Sequence, residues 1–454
     1  MRPAGTVRMI SLGCPKNLVD SEVMLGLLKE KGWVPTDRGR ADVAIVNTCG
    51  FIRDAKEESI EAILAVARDK RKGKIGKLVV AGCLPQRYGG ELAKEMPEVD
   101  LFIGTGEFHR IADLLSPLRP GEEREALATG APEFLYDHRT PRVLTSPAGS
   151  AYIKVSEGCS NACSYCVIPR VRGALRSRTV SSVVKEVARA VSGGVKEINL
   201  LAQDLTAYGS ERKDGTGLVR LLEELARVEG LRWIRMLYLN PSRVTKELLA
   251  LVRKEEKILK YLDLPLQHID PSVLGAMNRP ELPKEGKDLV AWIRDEVPGV
   301  TLRTSLMVGF PGETEKKFQR LAEFVREAEF DHLGVFRYSR EEGTPAACLR
   351  QVPENVKERR YNEIMTLQKG ISLRRNRMKI GSRMLVLVEG RGRSSASLRG
   401  RTAGQAPEVD GITFLEKGPM KDLPEGGPPA GEMVEALITR ATSYDLYGKI
   451  LKPA

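Results

Sequence analysis

The sequence has no apolar run approaching 18 residues, and it contains only four histidines among 454 residues. The missing run argues against a membrane span. The start, MRPAGTVRMISLG, has no apolar core of signal-peptide length, so we expect the protein to stay in the cytoplasm, where thiols are reduced. The seven cysteines are therefore not expected to form a disulfide framework.

Charge of the two signs is unequal, with 72 Lys and Arg against 60 Asp and Glu, which gives a net charge of +12. This excess indicates an acidic partner, with the ribosome or a nucleic acid as the default. The chain length predicts roughly two to four domains. Apolar residues at 42% and charged residues at 29% are ordinary for a soluble globular protein.

The first hundred residues alternate between strand-like runs and helical patterns. Such repetition predicts an α/β domain with a parallel sheet and right-handed crossovers. The strand-like runs lie at 6–13, 41–48 and 77–82 and near 101–105; the helical patterns lie at 17–32, 54–72 and 86–95.

Three cysteines, Cys14, Cys49 and Cys83, each follow the end of one of these strands. Ligands bind at this edge of open α/β sheets, so the three thiols are expected to converge there. One alternative is that they are small buried hydrophobic side chains, as free cysteines often are. Their equivalent positions, each beside Gly or Pro, favour a common site.

A second trio is bunched in SEGCSNACSYCVIPRVRG, where Cys159, Cys163 and Cys166 form a CxxxCxxC pattern. Zinc normally takes four closed ligands, and no fourth Cys or His follows nearby; the next histidine is His268. A four-iron cluster accommodates three ligands, because its fourth iron can bind something exchangeable. The pattern therefore favours an iron–sulfur cluster over zinc.

These motifs carry a resemblance to a known family. CxxxCxxC with Tyr165 before its last cysteine resembles the radical S-adenosylmethionine (SAM) superfamily. SLGCPKNLVDSE, NTCGFIRDAKEES and AGCLPQRY resemble the methylthiotransferases, and GRTAGQAPEVDG and SYDLYG resemble the RimO-type branch, which modifies an aspartate of the twelfth small-subunit ribosomal protein. The resemblance covers essentially the whole chain. One departure is LNPSRV at 239–244, where the family has a Tyr-Pro pair.

The resemblance implies two four-iron clusters, one on each cysteine trio, and SAM. Reductive SAM cleavage at the CxxxCxxC cluster would yield a radical that abstracts hydrogen from the aspartate β-carbon. The other cluster would hold or deliver sulfur, and a second SAM would methylate it. No side chain is predicted to act as acid or base, because none can usefully deprotonate such a carbon. The implied partners are the ribosomal protein, free or in the small subunit, and a low-potential flavodoxin- or ferredoxin-like electron donor.

From residue 151 strand-like runs again alternate with helical ones, which predicts a partial parallel (βα)6 barrel with its chemistry at the carboxyl ends of the strands. The strand runs are 151–157, 195–202, 231–239, 259–266, 300–310 and 331–339. The residues predicted to contact SAM follow these strands or lie in the cysteine loop: Tyr165, Gln203, Asp204, Gln267 and Gly309. Arg170, Arg172, Arg176 and Arg178 are predicted either to meet an acidic partner or to be solvated, and Cys348 is predicted to be structural.

Residues 381–454 have short strands separated by Gly- and Pro-rich turns, which predicts a small antiparallel barrel. By resemblance it is a TRAM domain. The predicted organisation is residues 1–120, a methylthiotransferase domain with the auxiliary cluster; 121–150, a linker; 151–380, the radical SAM domain; and 381–454, the TRAM domain.

The last two regions differ in charge. Residues 357–383 hold nine basic and two acidic residues, whereas residues 381–454 hold ten basic and nine acidic ones. Phosphate contacts need Lys and Arg. We therefore hypothesise that the barrel docks a ribosomal-protein loop, while segment 357–383 faces ribosomal RNA or water.

Two alternative functions remain open. A tRNA-adenosine methylthiotransferase would carry the same clusters, but the near-neutral last domain argues against a nucleic-acid substrate. A non-catalytic iron–sulfur RNA-binding protein would contain iron but would not cleave SAM.

Overall fold

The computed structural model describes residues 4–116, 125–279, 282, 286–392, 397–416 and 427–454. The chain forms two compact units. The first comprises Met1–Thr145, Lys154–Arg178 and Ser339–Thr344, and the second comprises Ser146–Ile153, Thr179–Tyr338 and Pro345–Ala454. The start of the predicted linker, residues 121–124, lies outside the described residues. Within the described ranges, no helix is both long and apolar enough to cross a membrane.

The first unit contains the predicted parallel sheet. Its strands pair in the order β2-β1-β3-β4-β5-β6, and every neighbouring pair is parallel. The elements are β1 (Gly5–Ser11), α1 (Pro15–Glu30), β2 (Trp33–Pro35), β3 (Ala41–Thr48), α2 (Arg53–Arg71), β4 (Ile75–Gly82), α3 (Cys83–Glu95), β5 (Leu101–Ile103), α4 (Ile111–Leu115) and β6 (Leu127–Ala128). Strands β3 and β4 are almost wholly buried, as expected when helices cover both faces.

The sequence pattern did not indicate the two edge strands of this sheet. Strands β2 and β6 have three and two residues, too few for a pattern to show. Strand β6 lies within the predicted linker, and Arg142 of the same segment forms a 2.5 Å ion pair with buried Glu22 of α1. Residues 125–145 of the predicted linker therefore belong to the first unit, with β6 in its sheet and Arg142 against α1.

The middle of the chain alternates strands and helices as expected. In order it contains β7 (Ser150–Lys154), β8 (Ser156–Glu157), α5 (Ile168–Arg172), β9 (Arg176–Ser177), α6 (Val180–Ser192), β10 (Glu197–Leu201), α7 (Leu218–Ala226), β11 (Trp233–Met236), α8 (Lys246–Lys254), β12 (Ile258–Asp263), α9 (Pro271–Ala276), α10 (Gly286–Glu296), β13 (Thr301–Val308), α11 (Glu315–Ala328), β14 (His332–Arg337) and α12 (Glu354–Arg377). The six long strands form one sheet in the order β14-β13-β12-β11-β10-β7, which confirms the predicted partial barrel. The pairs from β10 to β14 are parallel.

The last region is a closed five-stranded barrel in the order β15-β16-β17-β19-β18. Its strands are β15 (Arg383–Arg391), β16 (Leu398–Thr402), β17 (Thr413–Glu416), β18 (Met433–Ala441) and β19 (Leu446–Pro453). A small antiparallel barrel was expected; the barrel is present, but it is not wholly antiparallel, since β17 and β19 pair in parallel. Closure requires this pair, because β17 and β19 are the neighbours that complete the ring.

A buried ion cluster fixes this barrel within the second unit. Glu197, the first residue of β10, pairs with Arg235 of β11 at 2.9 Å and with Arg401 of β16 at 2.5 Å. All three side chains are at most 2% exposed. Removing one partner would leave a buried charge uncompensated.

The APEVDG motif contributes to the same junction. The Asp410 carboxylate accepts a 2.7 Å hydrogen bond from the Tyr261 hydroxyl and lies 3.5 Å from Arg303 and 3.4 Å from His332. His332 is the first residue of β14, and Arg303 is the third of β13. The motif therefore packs towards the amino-terminal ends of these strands, the edge opposite to the predicted chemistry.

Candidate functional site

The structure places Cys14, Cys49 and Cys83 at the carboxyl ends of three adjacent strands, β1, β3 and β4. Cys14 caps α1, and Cys83 is the first residue of α3, three residues before the predicted helix start. Burial, together with negative charge on Cys83 and Cys14, raises the pKa of Cys49 to about 12. That electrostatic coupling requires the three thiols to lie close together.

Two glycines permit this convergence. A Cβ on Gly13, whose φ is +84°, would lie 2.8 Å from the Cβ of Cys49. A Cβ on Gly50 would lie 2.9 Å from the carbonyl oxygen of Cys83. The glycines beside the cysteines therefore allow close backbone approach, which no larger residue would tolerate without a shift.

Asn17, which was not predicted as a site residue, organises the same three loops. Its side chain is fully buried and donates hydrogen bonds to the carbonyls of Leu12 at 3.1 Å and Thr48 at 2.9 Å. Its Oδ1 accepts from the Cys83 thiol at 3.6 Å. The only sequence signal was an amide in the first turn of a helix that directly follows a cysteine.

The CxxxCxxC loop belongs to the same unit, between β8 and α5. Its three cysteines are partly exposed. The backbone N–H of Asn161 donates to Cys159 Sγ at 3.4 Å, and that of Ile168 donates to Cys166 Sγ at 3.5 Å. Such bonds favour the thiolate form, which is the metal ligand.

Among the described residues, no three Cys, His, Asp or Glu side chains are grouped for a single metal ion. A four-iron cluster binds each thiolate through a different iron, so it requires a wider spacing than one ion does. The ligand assignments for both trios therefore stay predictions. Tyr165 is half-buried within its loop.

The arginines after this loop are not all solvated. Arg172, at the end of α5, has a side chain only 1% exposed, and its Nη2 lies 3.6 Å from Cys83 Sγ. Burial raises the pKa of Cys83, whereas the positive charge of Arg172 opposes that rise. Arg178 is also buried and donates to the carbonyl of Lys154 at 3.1 Å. Only Arg170 of the group is exposed.

In the second unit the predicted SAM-contacting residues follow β10, β12 and β13, on one edge of the sheet. Gln267 has φ +67°, a strained value for a non-glycine residue, and its backbone bonds to Ser305 and Met307. Gly309 has φ +73°, and a Cβ there would lie 2.2 Å from Lys357 Cγ. Gln203 is half-buried. Their roles towards SAM stay predictions.

Asp204 has a clear structural role. Its carboxylate accepts from Asn240 at 3.1 Å and from Arg243 at 2.6 Å, and it also caps a short 3-10 helix, Leu205–Ala207. Asn240 and Arg243 lie in the segment that departs from the family pattern. Asp204 therefore holds segment 239–244 in place.

Two further residues are placed by the structure. His268 is fully buried; its Nδ1 accepts from the backbone N–H of Asp270 at 2.9 Å, and its Nε2 lies 3.4 Å from Glu313, so its polar atoms are satisfied. Cys348 is exposed at the end of a 3-10 helix rather than packed in a core.

Comparisons with known proteins agree with this architecture. Residues 6–104 match the uncharacterized protein family UPF0004, residues 153–325 the radical SAM superfamily, and residues 380–451 the TRAM domain. Among solved structures, the radical SAM methyltransferase TsrM from Kitasatospora setae shares the fold, with a TM-score of 0.56 at 15% identity over 75% of this chain and 76% of that one.

Curated relatives are far more similar in sequence. The ribosomal protein uS12 methylthiotransferase RimO of Syntrophotalea carbinolica is 51% identical over 98% of this chain and 96% of its own length. That of Geotalea uraniireducens is 49% identical over 98% of both chains. With this identity along nearly its full length, the chain belongs to the RimO family of radical SAM methylthiotransferases.

Proposed function

We propose that this protein methylthiolates the β-carbon of an aspartate in ribosomal protein uS12, working in the cytoplasm with a flavodoxin- or ferredoxin-like electron donor. The observation that carries the proposal is the presence of two separate cysteine trios within one compact unit. The names of the relatives support uS12 as the substrate.

The two trios fit two four-iron clusters. Each offers three thiols, which leaves one iron of a cube open for an exchangeable ligand. When bound, the clusters and SAM supply the one-electron and sulfur chemistry needed to replace an unactivated C–H by C–S–CH₃.

The chain's own residues hold and shield these groups. Asn17 and the adjacent glycines hold the loops of Cys14, Cys49 and Cys83, while backbone amides steady Cys159 and Cys166. Tyr165, Gln203, Gln267 and Gly309 are proposed to contact SAM. Asp204 is retained as a weaker candidate, because its carboxylate is already bonded within the chain.

Mass spectrometry of uS12 tests the substrate. Small subunits from cells expressing this chain should contain uS12 in which one aspartate has gained a methylthio group in place of hydrogen. Cells expressing the Cys159→Ala/Cys163→Ala/Cys166→Ala variant provide the matched control and should contain unmodified uS12. A methylthio group on tRNA adenosine with unmodified uS12 would instead identify the alternative substrate, and no modification of either would favour a non-catalytic protein.

We further infer that ribosomal RNA contacts the outer face of the last barrel, in place of the ribosomal-protein loop expected there from the near-neutral charge of its sequence. Phe414 and Tyr447 stack with ring centroids 5.3 Å apart and an interplanar angle of 27°, and the Arg440 guanidinium lies 3.6 Å from the Tyr447 ring centre. Arg399 pairs in register with Phe414. Arg399, Phe414, Tyr447 and Arg440 thus form a row across the barrel. The row combines two aromatic rings with two exposed cations, a combination that suits single-stranded nucleic acid.

The basic segment 357–383 is less suited to this contact. Lys357 and Arg360 are buried, and Arg360 pairs with Glu313 at 2.8 Å. Arg374 and Arg375 pair with Glu329 and Asp331. Much of the positive charge of segment 357–383 is thus paired with carboxylates within the second unit. The barrel has a net charge near zero, but Arg399 and Arg440 still lie in one row on its outer face.

Salt dependence of binding to a short single-stranded RNA tests the barrel face. The Arg399→Gln/Arg440→Gln variant should weaken binding and reduce the slope of log affinity against log salt by up to about 1.4, or about 0.7 for each lost phosphate contact. The control Arg189→Gln/Arg227→Gln removes equal charge from helical surfaces and should leave the slope unchanged. Equal slopes for the two variants would contradict the assignment.

A further inference from the structure

Four buried charged side chains in the first unit form a closed ring of alternating sign. Lys154 pairs with Asp20 and, at 2.5 Å, with Glu157. Arg172 pairs with Asp20 at 2.9 Å and with Glu157 at 3.0 Å. The two cations are 1% exposed, and the two carboxylates are 5% and 8% exposed. The ring therefore has no net charge and is almost completely shielded from solvent.

The ring connects the segments that bear the two cysteine trios. Asp20 lies on α1, the helix that Cys14 caps. Glu157 precedes Cys159 by two residues, and Arg172 ends the short helix that follows Cys166. Apolar residues of similar volume could stabilise such a position at least as well as buried ions. Stability alone therefore does not explain why these four positions are charged.

Arg172 reaches beyond the ring to a predicted cluster ligand. Its Nη2, which also bonds Asp20, lies 2.5 Å from Asn17 Oδ1 and 3.6 Å from Cys83 Sγ. Its Nη1 is held by Glu157 at 3.0 Å. The planar guanidinium is thus fixed from both sides, with one N–H edge directed at the sulfur.

We infer that Arg172 is a positioning residue for the cluster held by Cys14, Cys49 and Cys83. It holds the Cys83 thiolate by a charge-assisted hydrogen bond and thereby raises the reduction potential of that cluster. The inference rests on the proposed function only in requiring that this trio hold a cluster. One-electron reduction adds negative charge, which a fixed neighbouring cation stabilises; hydrogen bonds to the sulfurs are an established influence on cluster potential.

The test uses the full chain with Cys159, Cys163 and Cys166 replaced by alanine, so that only the Cys14 trio holds iron. Glu157→Gln removes one carboxylate and keeps the guanidinium. Glu157→Gln/Arg172→Met removes the guanidinium too but leaves Lys154 and Asp20 as a neutral pair. Each reconstituted protein is titrated with a chemical reductant, and the reduced cluster is followed by electron paramagnetic resonance.

We expect the double variant to need a more negative potential than Glu157→Gln alone. At a fixed potential its ratio of reduced to oxidised cluster should be lower by about tenfold, which corresponds to ~59 mV for one electron. Arg172→Lys, which keeps the charge but loses the planar fork, should need a more negative potential than the parent. If the variant with methionine at position 172 binds iron poorly, Arg172→Lys still provides a protein that contains the cluster.

Equal potentials in either comparison, Glu157→Gln against the double variant or the parent against Arg172→Lys, would overturn the inference. These titrations require no ribosomal substrate. An unshifted potential in a loaded cluster thus contradicts the role of Arg172 alone, whereas unmodified uS12 contradicts the proposed function alone.

Discussion

Replacing Cys159, Cys163 and Cys166 with alanine is expected to halve the iron content and abolish reductive SAM cleavage. Two four-iron clusters give ~8 iron atoms per reconstituted chain, so this variant should retain ~4. Cleavage should disappear, because the open iron that would bind SAM is predicted to belong to this trio. Iron and sulfide analysis under anaerobic conditions, together with the yield of 5′-deoxyadenosine, measures both effects.

Replacing the other cysteine trio distinguishes the roles of the two predicted clusters. Replacing Cys14, Cys49 and Cys83 should also leave ~4 iron atoms, yet SAM cleavage should persist without transfer of a methylthio group. Cys348→Ala is the matched control, because this cysteine is exposed and distant in sequence from both trios, and it should alter neither quantity. A wild-type protein containing one zinc and no labile sulfide would refute both assignments.

Replacing Glu197 with glutamine is expected to destabilise the second unit by roughly 3–5 kcal/mol, the usual effect of removing one partner from a buried ion pair. Arg235 and Arg401 would both lose their shared carboxylate while remaining buried. Glu224→Gln is the control, since that carboxylate is 40% exposed and pairs with Arg227 at the surface. Its loss should change stability by less than about 1 kcal/mol.

The contribution of Glu197 to stability is also expected to depend on pH. Burial raises the pKa of Glu197, but the guanidinium groups of Arg401 and Arg235 outweigh burial and lower it from 4.5 to about 2. A carboxylate with a lowered pKa stabilises the fold above its unfolded pKa. This contribution should therefore be complete above pH 4.5 and decline as the pH falls towards 2.

Hydrogen exchange of peptides from β10 and β16 measures the effect locally, which avoids assuming that the whole chain unfolds in one step. Faster exchange in Glu197→Gln than in Glu224→Gln at neutral pH would agree with the prediction. Equal exchange rates in the two variants would show that the ion cluster contributes nothing measurable.

Local patterns predicted the long strands well. The strand-like run at 41–48 coincides with β3, Ala41–Thr48. Its apolar centre, residues 43–46, is buried, as expected for a strand covered on both faces. The edge strands β2 and β6 were missed. Both are too short to show a pattern, and the strands that pair with them are distant in sequence.

By itself, the sequence determined that three cysteines follow parallel strands and that three more share one loop. Spacing and strand ends are local properties of the chain, so both trios could be read directly. Only the tertiary structure decided that Arg172 is buried against Cys83 and that Asn17 joins three loops. An arginine or asparagine in sequence carries no sign of burial, because that depends on which distant carboxylates and carbonyls the fold brings within hydrogen-bonding distance.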